Sequence, residues 1–550
     1  MRKTFLNIIK IETYEKEVND NRKKFFVKNQ ESFFKEEKNM KKKIAFILVL
    51  TMLVSCLVGC GGAGGEDVAD GEKGVSIYVE SIVSSLDPYG PGAVEYAGWY
   101  TWNQVYETLV RIDDNGNTVP CLAKEYSVSE DGLTYSFVLE EGVKFHNGEE
   151  LKASDAAFSI NTAKSRPSVG AWTFMIDKAV ATGDYTLDIQ LLHPYAAFYS
   201  MLQQMPIVNE AYYSTNDNNE FGIGTGPYKY EEGSISLDTT MKCVRYDDYR
   251  LGPAEIPSIT YKIITDASTA SIQFESGEVD FMMCYSVSNY PPLAESGKYN
   301  TALVNAPHTA FIAINNEVEP LNNKALRQAM NYATDKETVT LMSYEGLAEP
   351  AKALVGANAF GADFSDVIDF SFNIDKAKEK LAEAGFPGGI NLGDYGIELV
   401  YIPASYHEKI AQCIQETWAQ AGIIVELRAS ETCSADMIAG NYTLCTNGTA
   451  YGTDMALTGK VYNSKNIGAT NYAKYKNDRV DELFDKGDVI TDEAERKAIY
   501  KEICEIVVED CPYVPTQHKQ IPYVWNKNLN ANIYASNDHP YFVYEWSWNE

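Results

Sequence analysis

Residues 106–155 read YETLVRIDDNGNTVPCLAKEYSVSEDGLTYSFVLEEGVKFHNGEELKASD. Short apolar alternations are broken by Asp114-Asn115-Gly116, Glu130-Asp131-Gly132 and His146-Asn147-Gly148. Such Asn/Asp-Gly steps accept the positive φ that tight hairpins need. The stretch therefore predicts two short β-hairpins and a third turn, a compact β-rich unit. Thr134–Leu139 is a strand of that unit, and Val180–Leu192 predicts a further hairpin around Gly183-Asp184.

Outward from this unit the pattern mixes strands and helices. Val75–Val83 alternates loosely and reads as a strand. Leu326, Ala329, Met330 and Ala333 fall at i, i+3, i+4 and i+7, one buried face of a helix. Helices are expected at 375–384, stopped by Gly385, and at 407–421, stopped by Gly422 and followed directly by a strand at 423–427. Further helices are expected at 478–486 and 492–509, the latter with Asp492 and Glu495 spaced as a capping box. Helix, glycine and strand in succession is α/β grammar.

Upstream, residues 40–62 read MKKKIAFILVLTMLVSCLVGCGG. Three lysines, a short apolar run and small residues form the layout of a secretory signal peptide, and the run is too short to count as a spanning helix. Leu57-Val58-Gly59-Cys60 resembles the bacterial lipobox, which implies lipidation of Cys60. Cys56 fits the same pattern, but apolar Leu57-Val58 after it would leave no polar tether; an uncleaved signal anchor is the other alternative. Residues 60–74 are a Gly-rich tether. Residues 1–39 lack a secretory layout and read as a mis-set translation start, with Met40 as the natural one.

The chain carries 47 Lys and Arg against 77 Asp and Glu, a net charge of −30. That balance argues against nucleic acid as a partner, because phosphate contacts need clustered cations. It would also be repelled by an anionic membrane surface, leaving any anchoring to the lipid. Beyond Cys60 the cysteines (121, 243, 284, 413, 433, 445, 504 and 511) have irregular spacing without a CxxC pair, so no zinc site is indicated. Cys433 and Cys445 are close enough in sequence to pair, although spacing alone does not fix connectivity. The six histidines are scattered, and His146 sits in a turn motif rather than a ligand set. No GxSxG elbow, HExxH helix or glycine-rich phosphate loop is present, so neither an enzyme nor a cofactor is expected.

The order of motifs resembles the extracellular solute-binding proteins of ABC importers, family 5, the peptide/nickel-binding group. The resemblance rests on Tyr106-Glu107-Thr108-Leu109-Val110, the Phe145-His146-Asn147-Gly148 turn, Gly224-Thr225-Gly226-Pro227-Tyr228, Ser276–Asp280, Asn322–Asp335 and the segments AKEKLAEAGF and VEDCPYVP, in family order over residues 75–550. Glu140-Glu141 depart from it, standing where the family's strand usually ends in arginine. The resemblance implies a two-lobed α/β fold of the periplasmic-binding-protein type (type II), closing about a hinge formed by two crossover strands. Lobe I would comprise 75–305 and 513–550, with 111–222 as an extra subdomain, and lobe II 306–512.

It further implies a peptide or other small solute as ligand, an ABC permease as partner, a monomer, and no catalytic or metal residues. The location would be the outer face of a bacterial membrane, in a cell with a single membrane. In peptide-binding relatives a lobe II aspartate pairs with the ligand's α-ammonium; Asp454 is the best match here. Tyr451 replaces an earlier acid of that pattern and Gly448 its tryptophan. Gly448, Thr449 and Ala450 are expected to offer backbone groups to an extended ligand, by strand addition. Trp99, Tyr100 and Trp102 are candidates for an aromatic wall. An oligosaccharide or nickel-chelate cargo, or a sensory role, would use the same fold.

Overall fold

In the computed structural model the described residues are 73–549, except 91–95, 114–116, 216–221, 285–286, 357–358, 404, 451, 453 and 535–540. The signal-like segment, Cys56, Cys60, nearly all of the tether, and Tyr451 lie outside them. None of the described helices is long and apolar enough to cross a membrane.

One 11-stranded sheet runs through both lobes. Its lobe I half contains β1 (Val75–Val79), β8 (Tyr228–Ser236), β9 (Thr240–Arg245), β10 (Ser258–Ile263) and β11 (Phe281–Met283). β1 lies between β10 and β11, parallel to both, while β9 and β8 extend the edge in antiparallel fashion. Its lobe II half contains β15 (Glu398–Tyr401), β17 (Glu426–Ala429) and β18 (Leu444–Ala450), with β15 parallel to both neighbours.

The halves are joined by two long antiparallel strands, β12 (Tyr299–Ile314) and β19 (Tyr513–Asn526), with β13 (Ala348–Pro350) paired to β19. Tyr299–Asn305 pairs with Asn526–Gln520 beside β11, and Thr309–Ala313 pairs with His518–Tyr513 beside β18. Between Asn305 and Thr309 the register shifts. A break in the ladder at that point leaves the two strands bent and less constrained than a regular pair.

The opening stretch folds as its turns predict. β2 (Val110–Ile112) pairs with β3 (Thr118–Pro120), and β4 (Ala123–Val128) with β5 (Thr134–Leu139) around Gly132, whose φ is +68°. β6 (Ile176–Ala181) and β7 (Thr186–Leu191) complete a sheet of order β4-β5-β7-β6. β5 and β7 bury alternate residues, Tyr135, Phe137, Leu187 and Ile189, beneath α1 (Ala153–Ser165). This core is continuous with lobe II residues Met455, Phe484 and Tyr500, and Ala196 N–H donates to the Asp488 carbonyl at 2.8 Å.

The lobe II helices follow their periodicity. α2 (Lys324–Tyr332) buries Leu326, Ala329 and Met330 against Ile312, Leu399 and Ile410. α3 (Lys336–Tyr344) and α4 (Ile374–Glu383) follow, and Gly385 takes φ +96° just beyond α4. α5 (Tyr406–Ala421) is capped by Ser405 and ended by left-handed Gly422. The strand expected at 423–427 is instead two pieces: β16 (Ile423–Ile424), paired with β14 (Ile390–Asn391), and then β17. α6 (Cys433–Ala439), α7 (Met455–Thr458), α8 (Asp478–Gly487) and α9 (Glu493–Asp510) complete the lobe. Asp492 caps α9 by accepting from Glu495 N–H at 2.9 Å. Cys433 of α6 and Cys445 of β18 form a disulfide.

Candidate ligand-binding site

The ordered motifs mostly hold the scaffold together. Glu107, 8 % exposed, accepts from Arg250 Nη2 (2.9 Å), Tyr249 Oη (3.0 Å) and Thr225 Oγ1 (3.0 Å), tying the YETLV segment to the GTGPY loop. His146 clasps that loop from the other side. Its Nε2–H donates to the Gly226 carbonyl at 2.9 Å and its Nδ1 accepts from Gly224 N–H at 3.3 Å. Burial lowers the imidazole to about 4, so it is neutral and fixed in one tautomer. A Cβ on Gly224 would lie 2.1 Å from the Val105 carbonyl oxygen, which explains the glycine. Asp280 of the Ser276–Asp280 element accepts from Ser76 N–H (3.0 Å) and Oγ (2.7 Å), linking β11 to β1.

Three of the expected ligand contacts are buried in the structure. Asp454 is 2 % exposed, and its two oxygens receive Arg496 Nη1 at 2.7 Å and Nη2 at 2.6 Å. The same carboxylate caps α7, accepting from Ala456 N–H at 2.8 Å. The carboxylate is thus engaged by a bidentate guanidinium and by a helix N-cap. Tyr100 and Trp102, 4 % and 3 % exposed, belong to the lobe I core rather than to a wall; Tyr100 stacks on Tyr541 at 5.8 Å. Trp99 stays partly exposed, 5.9 Å from Trp172.

The backbone expectation meets a different geometry. β18 pairs with β12 along its whole length, from Leu444 to Ala450, but with β15 only at Leu444 and Cys445. Gly448, Thr449 and Ala450 therefore have no strand partner on the β15 side among the described residues. All three are partly or fully exposed, and they lie level with the register break of the crossover strands. Gly448 N–H is held by Asn447 Oδ1 at 2.7 Å. The disulfide and the Asn447 Nδ2–Ser434 Oγ bond (3.0 Å) fix α6 to the base of this strand.

Four histidines have neutral rings: His146, His308, His407 and His518 each fall to about 4, chiefly by desolvation, with His407 buried and the other three partly so. The sequence reading missed the last three because they are far apart in the chain. No group of three or more His, Cys, Asp or Glu among the described residues is placed to hold a metal ion.

Two α/β lobes on a shared pair of crossover strands, with an exposed strand edge at the junction, define a two-lobed solute-binding protein. The model of the bacterial extracellular solute-binding proteins, family 5 (middle region), matches residues 117–468, and the chain belongs to that family. Heme-binding protein A of Haemophilus influenzae is 27 % identical over 76 % of this chain and 82 % of its own length. The glutathione-binding protein GsiB of Salmonella paratyphi A is 27 % identical over 84 % and 91 %. The structure of HbpA2 from Haemophilus parasuis superposes with a TM-score of 0.78 at 23 % identity, covering 87 % of this chain and all of that one.

Proposed function

We propose that this protein is a lipid-anchored receptor that captures a peptide between its lobes and delivers it to an ABC permease. The observation that carries the reading is the edge of β18 at Gly448–Ala450, which has no strand partner on the β15 side among the described residues, beside the register break of β12 and β19. An extended peptide can hydrogen-bond to such an edge through its main chain, which favours breadth over side-chain selectivity. Closure about the crossover strands would then bury the ligand and create the shape a permease reads. We take lobe I as 75–305 and 513–550, with 111–222 as its subdomain, and lobe II as 306–512. The similarity to a glutathione-binding relative supports a peptide-like cargo, since glutathione is itself a tripeptide.

Cys60 would carry the lipid and residues 61–74 the tether, keeping a monomeric receptor at high effective concentration beside its permease on the outer face of the membrane. Native mass spectrometry of protein purified without added ligand tests the reading. A retained mass in the peptide range is expected. Thermal shift against dipeptides, oligopeptides, cello-oligosaccharides and nickel–histidine should respond to the peptides. A response to sugar or chelate alone would replace the cargo and keep the fold.

A further inference from the structure

A second contact between the lobes uses neither the β18 edge nor the crossover strands. The subdomain's turn at Tyr195–Ala197 meets the C-terminal end of α8, where Ala196 N–H donates to the carbonyl of Asp488, the C-cap residue, at 2.8 Å. Lys460 of lobe II holds its ammonium 4.3 Å above the Phe174 ring of the subdomain, and that ring meets Tyr195 at 5.6 Å. Behind them the apolar core runs from Phe198 and Met201 to Phe484 and Tyr500.

The subdomain is fastened to lobe I by a set of hydrogen bonds. Tyr246 Oη donates to the Phe145 carbonyl, Ser168 Oγ to the Tyr89 carbonyl and Ile207 N–H to the Glu107 carbonyl, each at 2.9 Å, alongside the His146 clasp. Lobe opening, which keeps the subdomain on lobe I, therefore parts the seam at Asp488. That seam encloses polar atoms with nothing to bond. Asp488 Oδ1 and Tyr195 Oη are both buried without a hydrogen-bond partner, and Tyr195 is 3 % exposed.

Burial pushes the Asp488 carboxyl up to about 6. Lys460 and Arg496 oppose the rise, and Asp454 and Asp485 add to it. Arg496 is committed to Asp454 and to the Gly487 carbonyl, and Lys460 to the Phe174 face. The subdomain presents the Tyr195 hydroxyl, with exposed His193 6.4 Å from Phe174 at the rim. A carboxylate at a helix C-terminus also faces the negative end of the dipole.

We propose that this seam is a pH-sensitive latch: closing the lobes takes up a proton at Asp488, so mildly acidic surroundings strengthen capture and neutral ones loosen it. The proposal rests on capture by closure as read above. Opening returns the carboxyl to water and to its ordinary 3.8. The proton's contribution to closure is thus complete below that value and lost as pH rises through about 6.

Titration calorimetry with tri-alanine, comparing wild type and Asp488→Asn, tests this. The ratio of the two affinities cancels the histidines and the probe's own titrating groups, which both proteins share. D488N should bind tighter at neutral pH, and its advantage should shrink about 10-fold between about pH 7.5 and about pH 5. In buffers of differing ionisation heat near pH ~6, wild type should take up about half a proton more than the variant on binding. Asp488→Ser, equally uncharged, should share the D488N profile, with circular dichroism confirming that both are folded. A constant affinity ratio with equal proton uptake overturns the latch and leaves the peptide reading standing. Failure of the folded wild type and variants to bind tri-alanine at any pH overturns the peptide reading, and the latch with it.

Discussion

Replacing Asp454 by Asn separates a structural aspartate from a ligand anchor. In the structure Asp454 and Arg496 form a bidentate pair at 2.6 and 2.7 Å, with side chains 3 % and 6 % exposed. The guanidinium also donates to the Gly487 carbonyl at 3.0 Å and to Tyr500 Oη at 3.1 Å, so it cannot swing out to water without breaking the α8–α9 contact. The burial raises the cost of losing the partner. An uncompensated buried cation costs about 3–5 kcal/mol when one member of such a pair is removed. Asn retains the volume and one acceptor, which places D454N toward the lower end of that range. The assay is urea unfolding followed by tryptophan fluorescence, with a double-mutant cycle through Arg496→Met. D454N should lose about 3 kcal/mol, and the double variant should recover part of it because neither charge is left alone. Ligand affinity, measured where the variant is fully folded, should change little. Stability within about 1 kcal/mol of wild type, combined with lost binding of peptides bearing a free amine, would refute the reasoning and restore Asp454 as the anchor.

Other consequences are as direct. Gly448→Trp places an indole where His308 and Tyr406 stand, so ligand binding should vanish in calorimetry while circular dichroism stays native. Glu107→Gln weakens charge-assisted bonds to Arg250 and should lower stability by roughly 1.5–3 kcal/mol in denaturant titration. Reducing the Cys433–Cys445 disulfide, which spans 12 residues, should cost about 2–3 kcal/mol, read as a lower urea midpoint under reducing conditions. His146, His308, His407 and His518 are all depressed to about 4 when folded, so the unfolded chain binds more protons below its own histidine range. Their contribution to stability is present above about pH 6.5 and lost as pH falls toward 4, and a melting series from neutral to acid should show it; His146→Gln should flatten that slope.

Local signals carried much of the fold. The Gly132 turn, the Gly385 and Gly422 helix stops and the Asp492 cap are short-range physics, and they stand where their residues place them. The order of motifs carried the two-lobed architecture, which no local pattern encodes. What local reading missed was set by tertiary partners. Nothing near Asp454 in sequence announces its partner Arg496, 42 residues on. The Trp99–Trp102 run looks like a binding wall because aromatics serve both cores and ligands; only packing sends Tyr100 and Trp102 inward. Glu107 is invisible as a keystone until Arg250 and Thr225 reach it.

Small-angle scattering of the soluble chain, with and without saturating tri-alanine, tests the central claim most directly. Closure of two lobes about β12 and β19 predicts a smaller radius of gyration and a narrower distance distribution once peptide is bound. Calorimetrically confirmed binding with an unchanged scattering profile would contradict capture by closure.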